Sequence, residues 1–438
     1  MSHFSENWKE IIKTSDFIIG TCFLFLLFSM FFVQELNLPG EQFLFGSLFL
    51  LLLGGFFLYI FTPKIVEFGR LLFSTTERRL IPPFSVFIIF AIYRFIVPTS
   101  PDFLTSLVQV ISGFFFILTP TLLYLSFSNQ TRDGLSYIDV LAGLWVWLPI
   151  EFGLVDDLLG KVELGDIPFD TLLALFAFIY ALIFVRFHDM GLTFSLSKED
   201  LLIAGKANGI LVLIILPLGI ISYFLAPPDI ILEKVMNLTA ELPVSLVDII
   251  LTFILIFLGT ALIEEMFFRG FIFNLIAEKL ENGNVANSWL YGGILGLIGL
   301  IIITPWIDDI IDALSWIPLF SPLKEIIGSL AEPLGDAEGQ VWPLVQNVPL
   351  EALYFMIAII LGIFGFLLVS KTKDPIITAL VLSSILFGWA HFEDIRYIFF
   401  ASFAGFAYGW TYWKTQKIVP AALVHMAVDA VWSIFLNF

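Results

Sequence analysis

Apolar runs long enough to cross a bilayer recur along almost the whole chain, and no other feature constrains its fold as strongly. A helix spans the hydrocarbon core with roughly 17 to 25 mostly apolar residues. The run FIIGTCFLFLLFSMFFV at 17–33 meets that length without a single charge. A transmembrane barrel would show short segments of alternating polarity, whereas these runs are apolar on every side. The fold class implied is therefore all-α, a polytopic bundle of transmembrane helices.

Hydropathy places segments near 17–33, 43–62, 84–98, 103–127, 139–155, 168–187 and 209–226, then near 246–263, 288–304, 350–370, 376–391, 397–413 and 420–437, about 12 to 13 in all. The bulk numbers agree: 59% of residues are hydrophobic and 14% charged, with a mean hydropathy of +0.97. A soluble domain has no means of covering that much apolar surface.

Polar connections carry the topological signal. Lys64, Arg70, Arg78 and Arg79 share one connection, Arg132 lies in another, and Arg186, Lys198 and Lys206 lie in a third, matching the N-terminal Lys9 and Lys13. Intervening connections are acidic, with Asp156, Asp157, Glu163 and Asp166 in one and a long acidic stretch from Asp308 to Glu338. By the positive-inside rule the N-terminus is expected in the cytoplasm, with the first run a retained anchor. Counted to the end, this scheme puts Glu264 and His425 near the cytoplasmic side but His391 near the other, so one late segment must be misassigned if the three share a site. A break near 228–245, where PPDIILEK and AELP interrupt the apolar runs, divides an N-terminal region at 1–245 from a C-terminal region at 246–438.

The formal net charge of −18 argues against nucleic acid and against electrostatic anchoring to anionic lipid, which both reward clustered Lys and Arg. Cys22 is the only cysteine, which excludes an internal disulfide and a cysteine-rich metal site, and a buried, inert thiol is expected. Arg94, Glu151 and Asp170 lack partners at informative spacing and are expected as interfacial or structural groups. His3 and His188 lie in polar stretches and are expected to face solvent.

Three clusters carry chemistry. ALIEEMFFRGFIF at 261–273 puts two carboxylates and an arginine inside apolar sequence, where each charge costs roughly 2.5 to 3.5 kcal/mol on insertion scales. On a helix Glu265 and Arg269 pair across one turn, which leaves Glu264 about 100° around the axis, facing a cavity. In SSILFGWAHFED, His391 follows Phe387 by four, and in VPAALVHMAVDAVW, His425 and Asp429 are four apart, so a carboxylate can orient the ring. Each cluster alone also fits a structural role, such as a snorkelling helix end or an interhelical hydrogen bond. Together they can do more: a carboxylate and two imidazoles suffice to activate water and to stabilise an oxyanion. Glu264, His391 and His425 could equally hold zinc with an open water position. HExxH, GxGD and GxSG signatures of other membrane hydrolases are missing from the chain.

These clusters, in this order, resemble the CAAX prenyl protease and bacteriocin-processing family of intramembrane endopeptidases (CPBP, also called Abi). Its EExxxR, FxxxH and HxxxN/D motifs read here as EEMFFR (Glu264 to Arg269), FGWAH (Phe387 to His391) and HMAVD (His425 to Asp429). Gly270, Pro420 and the stretch 399–425 agree as well, so the resemblance covers about 246–438. It implies that Glu264 with His391 activates the water, Arg269 holds the Glu pair, and His425 with Asp429 supports the oxyanion. It also implies a membrane-associated or prenylated protein or peptide as substrate, membrane lipids as surroundings, and a prokaryotic cell membrane as location. Two departures stand out. The stretch between Arg269 and Phe387 is far longer than the family's usual separation and holds an acidic insert at about 281–349. Asp429 stands where many members have Asn, and an ionised carboxylate has no hydrogen to donate to an oxyanion, so Asp429 is either protonated or orients His425. The readings outside peptidase chemistry are a non-enzymatic immunity or accessory protein with the same fold, and a proton-coupled transporter.

Overall fold

The computed structural model describes residues 11–34, 40–97, 103–127, 136–151, 153–159, 169–221, 244–281, 374–391 and 395–433. Every regular element among them is helical. In chain order these are α1 (Ser15–Gln34), α2 (Gly40–Phe49), α3 (Gly55–Tyr59), α4 (Pro63–Leu72), α5 (Thr76–Ile96), α6 (Phe103–Ser126), α7 (Tyr137–Glu151), α8 (Leu154–Leu159), α9 (Phe169–Tyr180) and α10 (Lys198–Ile221). They continue with α11 (Val244–Ile256), α12 (Leu262–Glu265), α13 (Asn274–Glu281), α14 (Pro375–Trp389), α15 (Ile395–Thr415) and α16 (Ile418–Val431). Three π-helical stretches, Leu50–Gly54, Phe257–Ala261 and Met266–Phe273, join neighbours into longer rods, and a fourth, Ala181–Val185, extends α9.

Five described helices are long and apolar enough to cross a membrane: Gln42–Tyr59, Thr76–Ile96, Phe103–Ser126, Lys198–Gly219 and Ile249–Glu281. Five shorter apolar helices accompany them. The chain is an all-α, multi-pass membrane protein. The expected segments at 288–304 and 350–370 lie outside the described residues. Two boundaries move for local reasons. α5 begins at Thr76 rather than 84, because Thr75 accepts the Arg78 N–H as N-cap, and the helix continues through Pro82 and Pro83, each of which withholds one amide donor. α10 begins at Lys198 rather than 209: the Ser197 hydroxyl accepts the Asp200 N–H at 3.1 Å while Asp200 accepts the Ser197 N–H at 2.7 Å, a reciprocal cap.

The chain groups into two compact units whose segments interleave. The first gathers residues 1–203, 265–278 and 412–422; the second gathers 204–264, 279–411 and 423–438. α9 forms the heart of the first unit, with nearly every residue from Phe169 to Tyr180 buried, as a helix apolar all round must be. α5 meets α6 where Phe90 lies against Gly113, a position where a Cβ would collide with the ring. Beside that crossing Arg94 is fully buried and donates to the Gln109 amide oxygen at 2.9 Å, so it is a structural group of the interior and not an interfacial one. A second buried cation, Arg186, pairs with Asp139 at 2.7 Å.

Two expectations are corrected here. Cys22 is exposed, not buried. Ile18, Cys22 and Phe25 recur at helical spacing on one uncovered face of α1, and an apolar face set in lipid needs no protein over it. His188 is buried, not solvated, with 8% of its surface exposed. Its Nε2 donates to the Gly270 carbonyl at 2.7 Å, which gives the buried ring the partner it needs.

Candidate active site

α14 starts where Asp374 caps it, its Oδ1 accepting the Ile376 and Ile377 amides at 2.9 and 3.3 Å, with Pro375 in the first turn, where its missing N–H costs nothing. The helix ends at the FGWAH motif, and the chain turns as the His391 N–H donates to the Gly388 carbonyl. Gly388 is required by packing. A Cβ there would run into the Ser402 hydroxyl and the Ile398 carbonyl, so α14 and α15 cross in close contact beside the motif.

This crossing builds an aromatic frame around both histidines. Phe387 packs on His391 at 4.8 Å between ring centroids and edge-on against His425 at 5.3 Å. Tyr408 of α15 stacks nearly parallel on His425 at 4.5 Å and meets Phe387 edge to face. Tyr397 lies 4.8 Å from His391, and its ring stacks with Trp432. The two histidines therefore sit at one place, which removes the topological contradiction that the span count produced. Of this frame, the sequence reading contained only the Phe387–His391 pair.

A hydrogen bond fixes the tautomer of His391. His391 Nδ1 lies 2.8 Å from the Phe387 carbonyl, which can only accept. The neutral ring thus carries its proton on Nδ1 and its lone pair on Nε2. His425 Nε2 lies 3.2 Å from Asp429 Oδ2 and 3.8 Å from Glu264 Oε2. The imidazole is 2% exposed, against 30% and 31% for the two carboxylate side chains. A shielded imidazole thus sits behind two carboxylates that remain accessible. The 3.8 Å separation is an electrostatic contact and not a hydrogen bond.

Glu265 has the opposite environment. Its Oε2 lies 3.1 Å from Arg269 Nε, and both side chains are fully buried. Phe268 adds a ring face below the guanidinium at 5.8 Å. Gly270 follows, at a point where a Cβ would press on Met190 and Ile418.

The six residues thus fall into two groups, Glu264, His391, His425 and Asp429 around the aromatic frame, and Glu265 with Arg269 as a buried pair. For zinc, the donor chemistry is mixed. His391 Nε2 suits a metal, but His425 Nε2 faces Asp429, and no three His, Cys, Asp or Glu among the described residues converge as a ligand set.

Residues 246–431 match the family model of the Rce1-like type II CAAX prenyl endopeptidases. Over this stretch the chain is similar to that family. Comparison with curated proteins and with solved structures returned no match. The chain is thus an intramembrane protease of the CAAX type, and residues 1–245 lie outside the matched part.

Proposed function

We infer that this Rce1-like chain hydrolyses a peptide bond of a prenylated CAAX-type protein or peptide presented from the membrane, with Glu264 as general base. The observation that carries this reading is the placement of His425 Nε2 between Glu264 and Asp429, with His391 sharing the same Phe387 ring. In the proposed step, water adds to the scissile carbonyl carbon, Glu264 takes a water proton, and the same proton passes to the leaving nitrogen as the C–N bond breaks. The lone pair on His391 Nε2 accepts the water's second hydrogen and orients it. Asp429 accepts the Nε2–H of His425 and orients the ring, and its carboxylate favours the imidazolium form, whose charge faces Glu264 and the developing oxyanion. Asp429 therefore acts through His425 and has no need to be protonated. Arg269 holds Glu265, which sets the turn of helix that presents Glu264.

The peptidase region is proposed to span 246–438 with the acidic insert at about 281–349, in a chain whose N-terminus faces the cytoplasm of a prokaryotic cell. No step is routed through a metal. The test is cleavage of a farnesylated CAAX peptide in liposomes by the wild-type chain and by Glu264→Gln, with an unprenylated peptide as control. Cleavage by the wild type that is lost in Glu264→Gln is the expected result. Equal cleavage by both would end the general-base assignment, and cleavage of the unprenylated peptide alone would end the substrate assignment.

A further inference from the structure

The link between α9 and α10 was expected to be solvated, yet it is among the most heavily bonded segments of the first unit. From His188 to Phe194 alternate side chains are buried: His188, Met190, Leu192 and Phe194 point in, while Asp189, Gly191 and Thr193 are more open. Period two is the mark of extended chain laid on a surface. The surface it lies on consists of two short pieces of the family-matched region, 266–274 and 412–418.

The bonds run residue by residue. His188 Nε2 donates to the Gly270 carbonyl at 2.7 Å, the residue after Arg269. Asn274 Nδ2 donates to the Asp189 carbonyl at 3.2 Å and also to the Tyr412 hydroxyl, which in turn donates to the Met190 carbonyl. The Ile418 N–H donates to the Gly191 carbonyl at 3.2 Å, at the start of α16. Lys417 Nζ donates to the Ser195 carbonyl at 2.9 Å and to Asp200 at 2.8 Å. Gly191 and Gln416 both adopt positive φ, 68° and 54°, and a Cβ at Gly191 would strike the Gln416 carbonyl. At its other edge the link is tied to α1, where Thr193 donates to Asp16, and to α4, where Arg70 donates to the His188 carbonyl at 2.8 Å.

We propose that residues 187–197 are a strap by which the N-terminal region positions the peptidase motifs, with His188 as the positioning residue under EExxxRG and Lys417 as its second fastening. This proposal rests on the activity inferred above. The strap fixes two ends that matter. One is the turn that follows Glu265 and Arg269. The other is the first residue of α16, seven residues before His425, or about two helical turns at 3.6 residues each. A strap that slips moves the helices that carry the reacting groups without touching those groups. None of the strap residues lies within the matched 246–431.

The test uses the full-length chain as wild type, His188→Ala, His188→Gln and Lys417→Met. Cleavage kinetics, thermal unfolding and amide hydrogen exchange over 266–274 and 418–421 are read on each. The strap predicts that His188→Ala lowers kcat by roughly 10- to 100-fold, the size of effect expected of a remote residue that displaces reacting groups, with KM unchanged. It predicts faster exchange at Ile418, and recovery of both rate and protection in His188→Gln, whose amide can still donate to Gly270. Lys417 is partly exposed, so Lys417→Met should fold and show the same exchange change at 418–421. Wild-type kcat and wild-type exchange in a folded His188→Ala or in Lys417→Met would overturn the proposal, as would failure of His188→Gln to recover either readout. If the wild-type chain cleaves no CAAX peptide, the inferred activity fails, and the exchange data still decide the strap.

Discussion

Around His425 aromatic faces hold the ring, with the Asp429 carboxylate at 3.2 Å and that of Glu264 at 3.8 Å. Along 188–195 the backbone carbonyls of His188, Asp189, Met190, Gly191 and Ser195 each accept a hydrogen bond at 2.8 to 3.3 Å, and buried side chains alternate from His188 to Phe194. The contrast is one of purpose. Ring stacking confines an imidazole through its faces and leaves the in-plane nitrogens to polar partners. A segment that only has to stay in place does best with every polar atom satisfied. The adjacent glutamates show the same division at the smallest scale. Glu265 is sealed against Arg269, and Glu264 keeps nearly a third of its side-chain surface open.

The widest separation between the two plans is expected in paired variants of those glutamates. Glu264→Gln should lower kcat by about 10²- to 10⁴-fold, the range for loss of a general base, while thermal unfolding hardly changes. Glu265→Gln should instead destabilise the chain by about 3 to 5 kcal/mol, because it removes a carboxylate that faces a fully buried guanidinium. Denaturation in mixed micelles measures this, and Arg269→Met added to Glu265→Gln should recover part of the loss. A rate defect in Glu265→Gln with unaltered stability would erase the contrast.

Next in size is a pH effect. Burial holds the His188 imidazole down at about 4, from an ordinary 6.5, against a raising contribution from its bond to Gly270. Arg186, Asp139 and Asp189 add smaller and partly cancelling effects, and Arg70 approaches through the His188 carbonyl. Above pH 6.5 the ring is neutral in both states. Between 6.5 and 4 only the unfolded chain binds the proton, so stability falls as the pH is lowered through that window, by up to about 3 kcal/mol. Unfolding curves for wild type and His188→Gln between pH 4 and 7 check it, and the variant's profile should be flatter.

Smaller still is the effect of Asp429→Asn. The amide oxygen can still accept from His425 Nε2, so kcat should fall only by about tenfold, whereas Asp429→Ala should fall further. The smallest effect is a null one. A chelator should leave cleavage unchanged if Glu264 works without a metal, and activity lost to chelator and restored by zinc would return Glu264, His391 and His425 to the role of ligands.

How much could be read from the chain alone depended on the range of each interaction. The helical class follows from run length alone. The Glu265–Arg269, Phe387–His391 and His425–Asp429 relations are one helical turn apart, so spacing carries them. Tyr408 on His425, and Phe387 on His425, join segments distant in sequence and were not visible in spacing. His188 looked like one polar residue in a polar link. The signal that could have found it was the alternation of Met190, Leu192 and Phe194 beside it. Cys22 was misjudged because a run that is apolar all round does not say which face meets protein and which meets lipid. Arg94 gave no sign of Gln109, fifteen residues away on the next helix.

The π-helical stretch Phe257–Ala261 lies just ahead of the two glutamates. A π turn closes i→i+5 bonds where an α turn closes i→i+4, so it holds one residue in reserve. Deleting a single residue from 257–261 lets the turn tighten to α geometry with the bearing of Glu264 preserved. The same deletion within the α turn Leu262–Glu265 removes or turns the glutamates themselves by about 100°, and the π stretch Met266–Phe273 can take up slack only beyond them. A one-residue gap in related sequences would therefore be tolerated on the upstream side of the EE pair and be lethal inside it, which makes this short stretch the place where the rod can change length without changing its chemistry.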